Sequence, residues 1–252
     1  MYLNVKDTII YYEKYGTGPH TFLILPGWGN TRETFTYIIN SLKTENTIYI
    51  IDYPGLGNSP IPKHPLTIYD YTEIIIDFMR QLHIINPTII AHSFGGRIAT
   101  LLCGYYKRSV NKLILIDIAG IKKKTTLKTN IYKLLKLLAK LLPPKHRQKY
   151  KHKLFNHFAS TDYLNLPPTM HETFKNIVKE DLTKYYKKIK EETILIWGEL
   201  DKDTPLKDGK KIKKLIKNSA LITYQYAYHF SYLTYPLLTV NIIKEFTKKE
   251  HQ

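Results

Sequence analysis

Short apolar runs of strand length alternate with longer stretches of helical spacing along most of the chain. "TFLILP" (21–26), "TIYIID" (47–52), "PTIIAH" (87–92), "KLILID" (112–117), "TILIWG" (193–198) and "ALITYQ" (220–225) are rich in isoleucine and leucine and bounded by turn formers. Such runs predict strands covered on both faces, as in a parallel sheet. Between them, apolar positions recur every three or four residues, which predicts helices near 31–43, 66–83, 95–107, 204–217 and 236–248. "YLNV" and "TIIYYEKY" at the start predict an antiparallel pair at the sheet edge. The alternation predicts an α/β fold, a mostly parallel central sheet with helices on both faces.

One segment breaks the rhythm. After "KLILIDIAG" roughly seventy residues pass before the next strand, far more than an ordinary connection needs. They include "LKTNIYKLLKLLAKLL" (127–142), with apolar residues at helical spacing, then "PP" and further helical stretches. This predicts a helical lid over 121–192, inserted between two halves of one core, 1–120 and 193–252.

Ligands of such sheets bind beyond the carboxyl ends of the strands, so the residues that follow each strand carry the chemistry. They are "PGWGN" (26–30), "DYPGLGNS" (52–59), Ser93, "WGELDKDTP" (197–205) and "YAYHFSYLTYP" (226–236). Ser93 sits in "IIAHSFGGRIA", where a buried strand gives way to a helix. A serine there can simply cap the helix. A cap, however, does not require Ala91 before it or Gly95 and Gly96 after it. Small residues on both flanks predict a sharp, strained turn with the serine at its tip.

Composition narrows the partners. The chain has 252 residues and a formal charge of +17, and only five of its 38 basic residues are arginine. Nucleic-acid readers rely on the planar arginine fork, so a nucleic-acid partner is not expected. The lysines are expected to be solvated or to attract an acidic carrier protein or an anionic lipid surface. The basic amphipathic stretch that begins at "IKKKTTLK" fits either lipid binding or a lid helix with an apolar face over a pocket. Cys103 is the only cysteine, which excludes an internal disulfide, and its place in "IATLLCGYY" predicts a buried thiol. No stretch approaches the ~20 apolar residues of a membrane span. The N-terminus lacks the basic-then-apolar pattern of a secretory leader, so a cytoplasmic location is expected.

Four segments, in order, resemble the α/β-hydrolase superfamily over nearly the whole chain. Ala91–Gly95 is a small-x-Ser-x-small form of its nucleophile elbow. "PGWG" is similar to its HGxG turn, with Pro26 where histidine is usual; "WGELD" matches the WGxxD turn, and "HFSYLTYP" resembles its histidine segment. The resemblance implies a serine hydrolase with a Ser-His-Asp triad, needing no cofactor and no metal.

The residue types suit that chemistry. A serine hydroxyl needs a base within hydrogen-bond reach, and His229, after the last strand, is the best candidate. His92 adjoins Ser93 but is expected to point away from it. A carboxylate must orient the imidazole; the family's spacing points to Asp201, with Asp203 and Asp117 as alternatives. Asp203 otherwise reads as a cap for a helix starting at Thr204–Pro205, and Asp117 as a strand-end hydrogen-bonding group. The resemblance also gives the backbone N–H groups of Trp28 and Phe94 as oxyanion donors. Arg97, four residues after Ser93 on the same helix face, fits either a substrate carboxylate or a salt bridge to a neighbouring element.

The expected reaction is cleavage of a small-molecule carboxylic ester or related acyl bond. Three rivals stand beside it. "HSFGGR" resembles the elbow of the menaquinone-pathway synthase, which implies a carbon–carbon hydrolase or lyase. An acyl-carrier thioester or ester hydrolase would use the lysines for docking, and a non-enzymatic scaffold is the third. An epoxide hydrolase is disfavoured because its nucleophile is normally an aspartate at the elbow.

Overall fold

A computed structural model describes residues 1–122, 135 and 166–248. The strands are β1 (Tyr2–Val5), β2 (Thr8–Tyr15), β3 (His20–Leu25), β4 (Asn46–Asp52), β5 (Thr88–His92), β6 (Lys112–Ile116), β7 (Glu192–Gly198) and β8 (Ser219–Tyr224). They form one sheet in the order β1-β2-β4-β3-β5-β6-β7-β8. β1 and β2 pair antiparallel at one edge, and every pairing from β4 to β8 is parallel. Each expected strand is present within a residue or two at its ends.

Strand alternation divides the core into two layers. Leu23, Leu25, Ile89, Ala91, Leu113, Leu115, Leu195 and Trp197 face one layer, which includes α2 (Ile68–Gln81) and α3 (Phe94–Gly104). Phe22, Ile24, Ile90, Ile114, Ile116, Ile194 and Ile196 face the other, with α1 (Thr36–Leu42). β8 departs from the expectation of burial on both faces. Of its six residues only Tyr224 is buried, because the strand lies at the sheet edge.

Between β6 and β7 the described residues form a short 3₁₀ turn (Pro168–Met170), α4 (His171–Val178) and α5 (Thr183–Tyr186). Leu182, Tyr185, Tyr186 and Ile189 are buried in the same layer as α2 and α3. The expected lid helix over 127–142 lies, apart from the helical residue 135, outside the described residues. The chain then runs through α6 (Leu206–Leu215), α7 (Ser231–Thr234) and α8 (Pro236–Thr247). No helix among the described residues is long and apolar enough to cross a membrane.

The central strands β3, β5, β6 and β7 end together. Their following loops therefore open on one sheet edge, and all the chemistry-bearing segments emerge there.

Candidate active site

Ser93 joins β5 to α3 with φ 47° and ψ −109°, in the positive-φ region that non-glycine residues seldom occupy. Its side chain makes no capping hydrogen bond to the helix, so the hydroxyl is left for other work. The turn is pinned from several directions. Ser93 N donates to Ile116 O at 3.1 Å, Gly96 N and Ala119 N both donate to Ser93 O, and Gly95 N donates to Pro26 O at 3.0 Å. The flanking glycines follow from this crowding: a Cβ at Gly95 would collide with the Leu25 carbonyl, and one at Gly96 with the Ile118 side chain.

Backbone strain of this kind costs about 1–3 kcal/mol, and glycine removes it. Ser93→Gly is therefore expected to melt above Ser93→Ala, by about 2–4 °C for a gain near 1 kcal/mol. Thermal unfolding of the two variants side by side checks this, since both lack the hydroxyl and only one lacks the Cβ. Equal melting temperatures would mean that the turn stores no strain.

Ser93 Oγ lies 2.9 Å from His229 Nε2, and His229 Nδ1 lies 2.8 Å from Asp201 Oδ2. His229 is set on the loop between β8 and α7, and Asp201 on the loop between β7 and α6. Asp201 is buried and its carboxylate is fully engaged. Oδ1 accepts from the backbone N–H groups of Asp203 and Thr204, while Oδ2 accepts from Thr204 Oγ1 at 2.6 Å and faces the imidazole. Asp203 is near enough for Asp201, Asp203 and His229 to share an ion. The lone pairs of Asp201 are already committed to these hydrogen bonds, however.

The charges reinforce one another. Burial alone would raise the Asp201 pKa, but the hydrogen bonds from His229 and Thr204 outweigh it and hold the carboxyl below its ordinary value. Burial alone would lower the His229 pKa, but the hydrogen bond and charge of Asp201 hold it above its ordinary value. The pair thus favours a carboxylate beside an imidazole that accepts a proton readily.

The alternative acids are placed elsewhere. Asp203 is exposed, and α6 begins at Leu206 with Pro205 before it and no side-chain cap, so Asp203 does not cap that helix. Asp117, at the end of β6 with φ 45°, is fully buried. It accepts from Gly198 N at 2.8 Å and Ser231 N at 3.1 Å, joining the Asp201 loop to the His229 loop. Burial raises its pKa to about 7. It is a strand-end hydrogen-bonding group, tying together the loops that carry the other two residues.

His92 has a role that the sequence reading did not draw. Alternation along β5 turns its side chain to the layer opposite Ala91, where it meets Phe230, Tyr232 and the ring of His229 at 4.9 Å. Its Nε2 is 2.8 Å from His229 O and its Nδ1 is 3.1 Å from Asn30 Nδ2. These partners assign the proton to Nε2, which donates to the carbonyl, while Nδ1 accepts from the amide. Burial and the neighbouring His229 lower its pKa to about 3, which keeps the ring neutral. His92 therefore connects the elbow, the His229 loop and the "PGWGN" loop. The adjacency of His92 to Ser93 was the available signal, but its partners are distant in sequence.

Pro26, in the position where the family usually has histidine, holds its loop through its carbonyl, which accepts from Gly95 N and from Tyr53 Oη at 3.2 Å. Among the described residues neither Trp28 N nor Phe94 N donates to a protein acceptor. The two aromatic rings meet edge-on at 5.1 Å. Trp28, Asn30, Ser93, Phe94, Arg97 and His229 contribute to the wall of one cavity of about 550 Å³. Arg97 makes no ion pair among the described residues, so the expected salt bridge is absent there; its one hydrogen bond runs from Nη1 to Glu180 O at 3.1 Å.

The alpha/beta hydrolase fold family profile matches residues 20–236. The chain belongs to this family. A pimeloyl-[acyl-carrier protein] methyl ester esterase from Wigglesworthia glossinidia brevipalpis is 29% identical, over 93% of this chain and 96% of its own. An uncharacterized hydrolase, YugF, from Bacillus subtilis is 24% identical over 97% of this chain and 96% of its own. Among solved structures, a hydrolase from Pseudomonas aeruginosa PA01 superposes with a TM-score of 0.77 at 17% identity, covering 99% of this chain and 98% of that one. Family and relatives together make this α/β-fold chain a hydrolase.

Proposed function

We propose that this hydrolase cleaves a carboxylic ester by acyl transfer through Ser93. What supports the reading is the unbroken path from Ser93 Oγ to His229 to Asp201, at 2.9 and 2.8 Å, opening on a 550 Å³ cavity. His229 Nε2 takes the Ser93 proton as Oγ attacks the carbonyl carbon. The tetrahedral oxyanion is held by the backbone N–H groups of Trp28 and Phe94, each worth about 3–4 kcal/mol. Collapse breaks the bond to the alcohol, which leaves with the proton from His229. Water then repeats the sequence on the acyl-enzyme and releases the acid. Residues 121–192 act as the lid and set the substrate range, while 1–120 and 193–252 form the core. No cofactor or metal takes part.

The decisive experiment pairs fluorophosphonate labelling with hydrolysis of p-nitrophenyl esters of increasing chain length. Stoichiometric labelling and turnover of at least one chain length are expected, and neither occurs in a scaffold.

A second reading, on the carrier-linked form of the substrate, has two observations behind it. The similar Wigglesworthia protein is by name an esterase of an acyl-carrier-protein ester, and this chain carries a charge of +17. An acidic carrier would be steered to such a surface, and the steering fades as the Debye length shrinks to about 8 Å at 0.15 M salt. If carriers dock, kcat/KM for a carrier-bound ester falls steeply between low and physiological salt while that for a free ester does not. Replacing Lys122, Lys123, Lys124, Lys133 and Lys136 together by glutamine is then expected to lower only the carrier-bound rate. Equal effects on both substrates would leave the lysines as solvated surface.

A further inference from the structure

Among the described residues, Arg97 is the one Lys or Arg side chain buried in the core, and it lies beside the reacting groups. It lies four residues beyond Ser93 on α3, about 6 Å along the helix axis, and is only 6% exposed. A guanidinium offers five N–H donors. Among the described residues a single one is used, by Glu180 O, and no carboxylate comes within ion-pair distance. The remaining nitrogens are not among the buried atoms cut off from solvent and left without a partner. Arg97 is also one of the residues that line the cavity.

A buried cation without a carboxylate partner is a poor structural device, because its desolvation costs several kcal/mol that no ion pair offsets. It is a good recognition device, since in a water-poor wall its planar fork pairs with a carboxylate in two parallel hydrogen bonds. Glu180 and Asp181 act on Arg97 through their charge, but no carboxylate among the described residues comes within ion-pair distance of it. Asp181 is exposed and accepts from the backbone of Lys122 and Thr183, while two acids, Asp203 and Asp208, also stand on the cavity wall. Lys122 adds a second cation to the same wall.

We propose that Arg97 forms an anion subsite, and that the substrates are half-esters of dicarboxylic acids, in which one carboxyl group is esterified and the other is free. The free carboxylate pairs with Arg97 while the ester carbonyl sits at Ser93. This rests on the acyl-transfer reading above and narrows it to a substrate class.

The test compares monomethyl esters of succinate, glutarate, adipate and pimelate with the corresponding dimethyl esters, using wild type, Arg97→Met and Arg97→Lys. The quantity read is the ratio of kcat/KM for half-ester over diester within each enzyme. Wild type is expected to favour the half-ester by about 10- to 100-fold at its best chain length, the value of hydrogen bonds to a charged group. Arg97→Met is expected to bring the ratio to one or below. Arg97→Lys should fall between, since it keeps the charge and loses the fork. A binding readout stands apart from turnover: free dicarboxylates should raise the melting temperature of Ser93→Ala, and not of Ser93→Ala/Arg97→Met.

Wild type that hydrolyses diesters without preferring half-esters overturns the subsite, even if Arg97→Met fails to fold. An unchanged ratio in a folded Arg97→Met overturns it as well. Wild type that hydrolyses no ester and takes no fluorophosphonate overturns the acyl-transfer reading instead.

Discussion

Ser93→Ala is expected to lower kcat on a neutral ester by a factor on the order of 10⁶, the loss seen when the nucleophile of a serine triad is removed. The reason lies in the proton path. His229 Nε2 has Ser93 Oγ at 2.9 Å as its partner, and without that hydroxyl the imidazole has nothing to activate. The oxyanion donors proposed at Trp28 and Phe94 are untouched by the substitution, so a residue of catalysis above the uncatalysed rate should persist. Fluorophosphonate labelling should vanish altogether, because it needs the oxygen. The labelled peptide of the wild type should contain Ser93. Label on Ser231, two residues from His229 but buried, would redirect the assignment. The fold should survive, because Ser93 makes no side-chain cap to lose.

Local patterns carried most of the architecture. Isoleucine-rich runs marked the central strands because these are covered by helices on both sides, so each residue of β5 and most of β6 is buried. The same composition misled at β8, where position at the sheet edge exposes one side, and neighbours in space are not written in a strand's own residues. The small residues around Ser93 were informative because the Leu25 carbonyl and the Ile118 side chain leave no room for a Cβ.

What was not legible depends on contacts between distant segments. His92 meets Asn30 and the carbonyl of His229, 62 and 137 positions away. Asp117 bridges Gly198 and Ser231, which come together only when β6, β7 and β8 stand side by side. Asp203 resembled a cap by spacing alone, yet the turn folds so that its N–H points to Asp201 and the helix starts later. Arg97 could be given two roles from sequence; that no carboxylate among the described residues comes within ion-pair distance of it was not legible there.

Asp201→Asn is expected to cost about 10⁴-fold in kcat, as loss of the triad carboxylate does elsewhere. An asparagine amide turned towards Nδ1 stabilises the wrong tautomer, and the charge that sits directly against the imidazolium is lost. The pH dependence should change with it. The proposed mechanism requires neutral His229, so kcat/KM should rise with pH through an apparent pKa above the ordinary 6.5, where Asp201 holds it. Without that partner, burial is left as the dominant influence and lowers the pKa, so the acid limb should move to lower pH. An NMR titration of the His229 ring reads the same shift where turnover is too slow. Asp117→Asn is the informative control, because Asp117 also acts on His229 through its charge but without touching it. It should produce a smaller shift in the same direction and a far smaller loss of rate. Losses of equal size in the two variants would make Asp117 the acid and Asp201 the support.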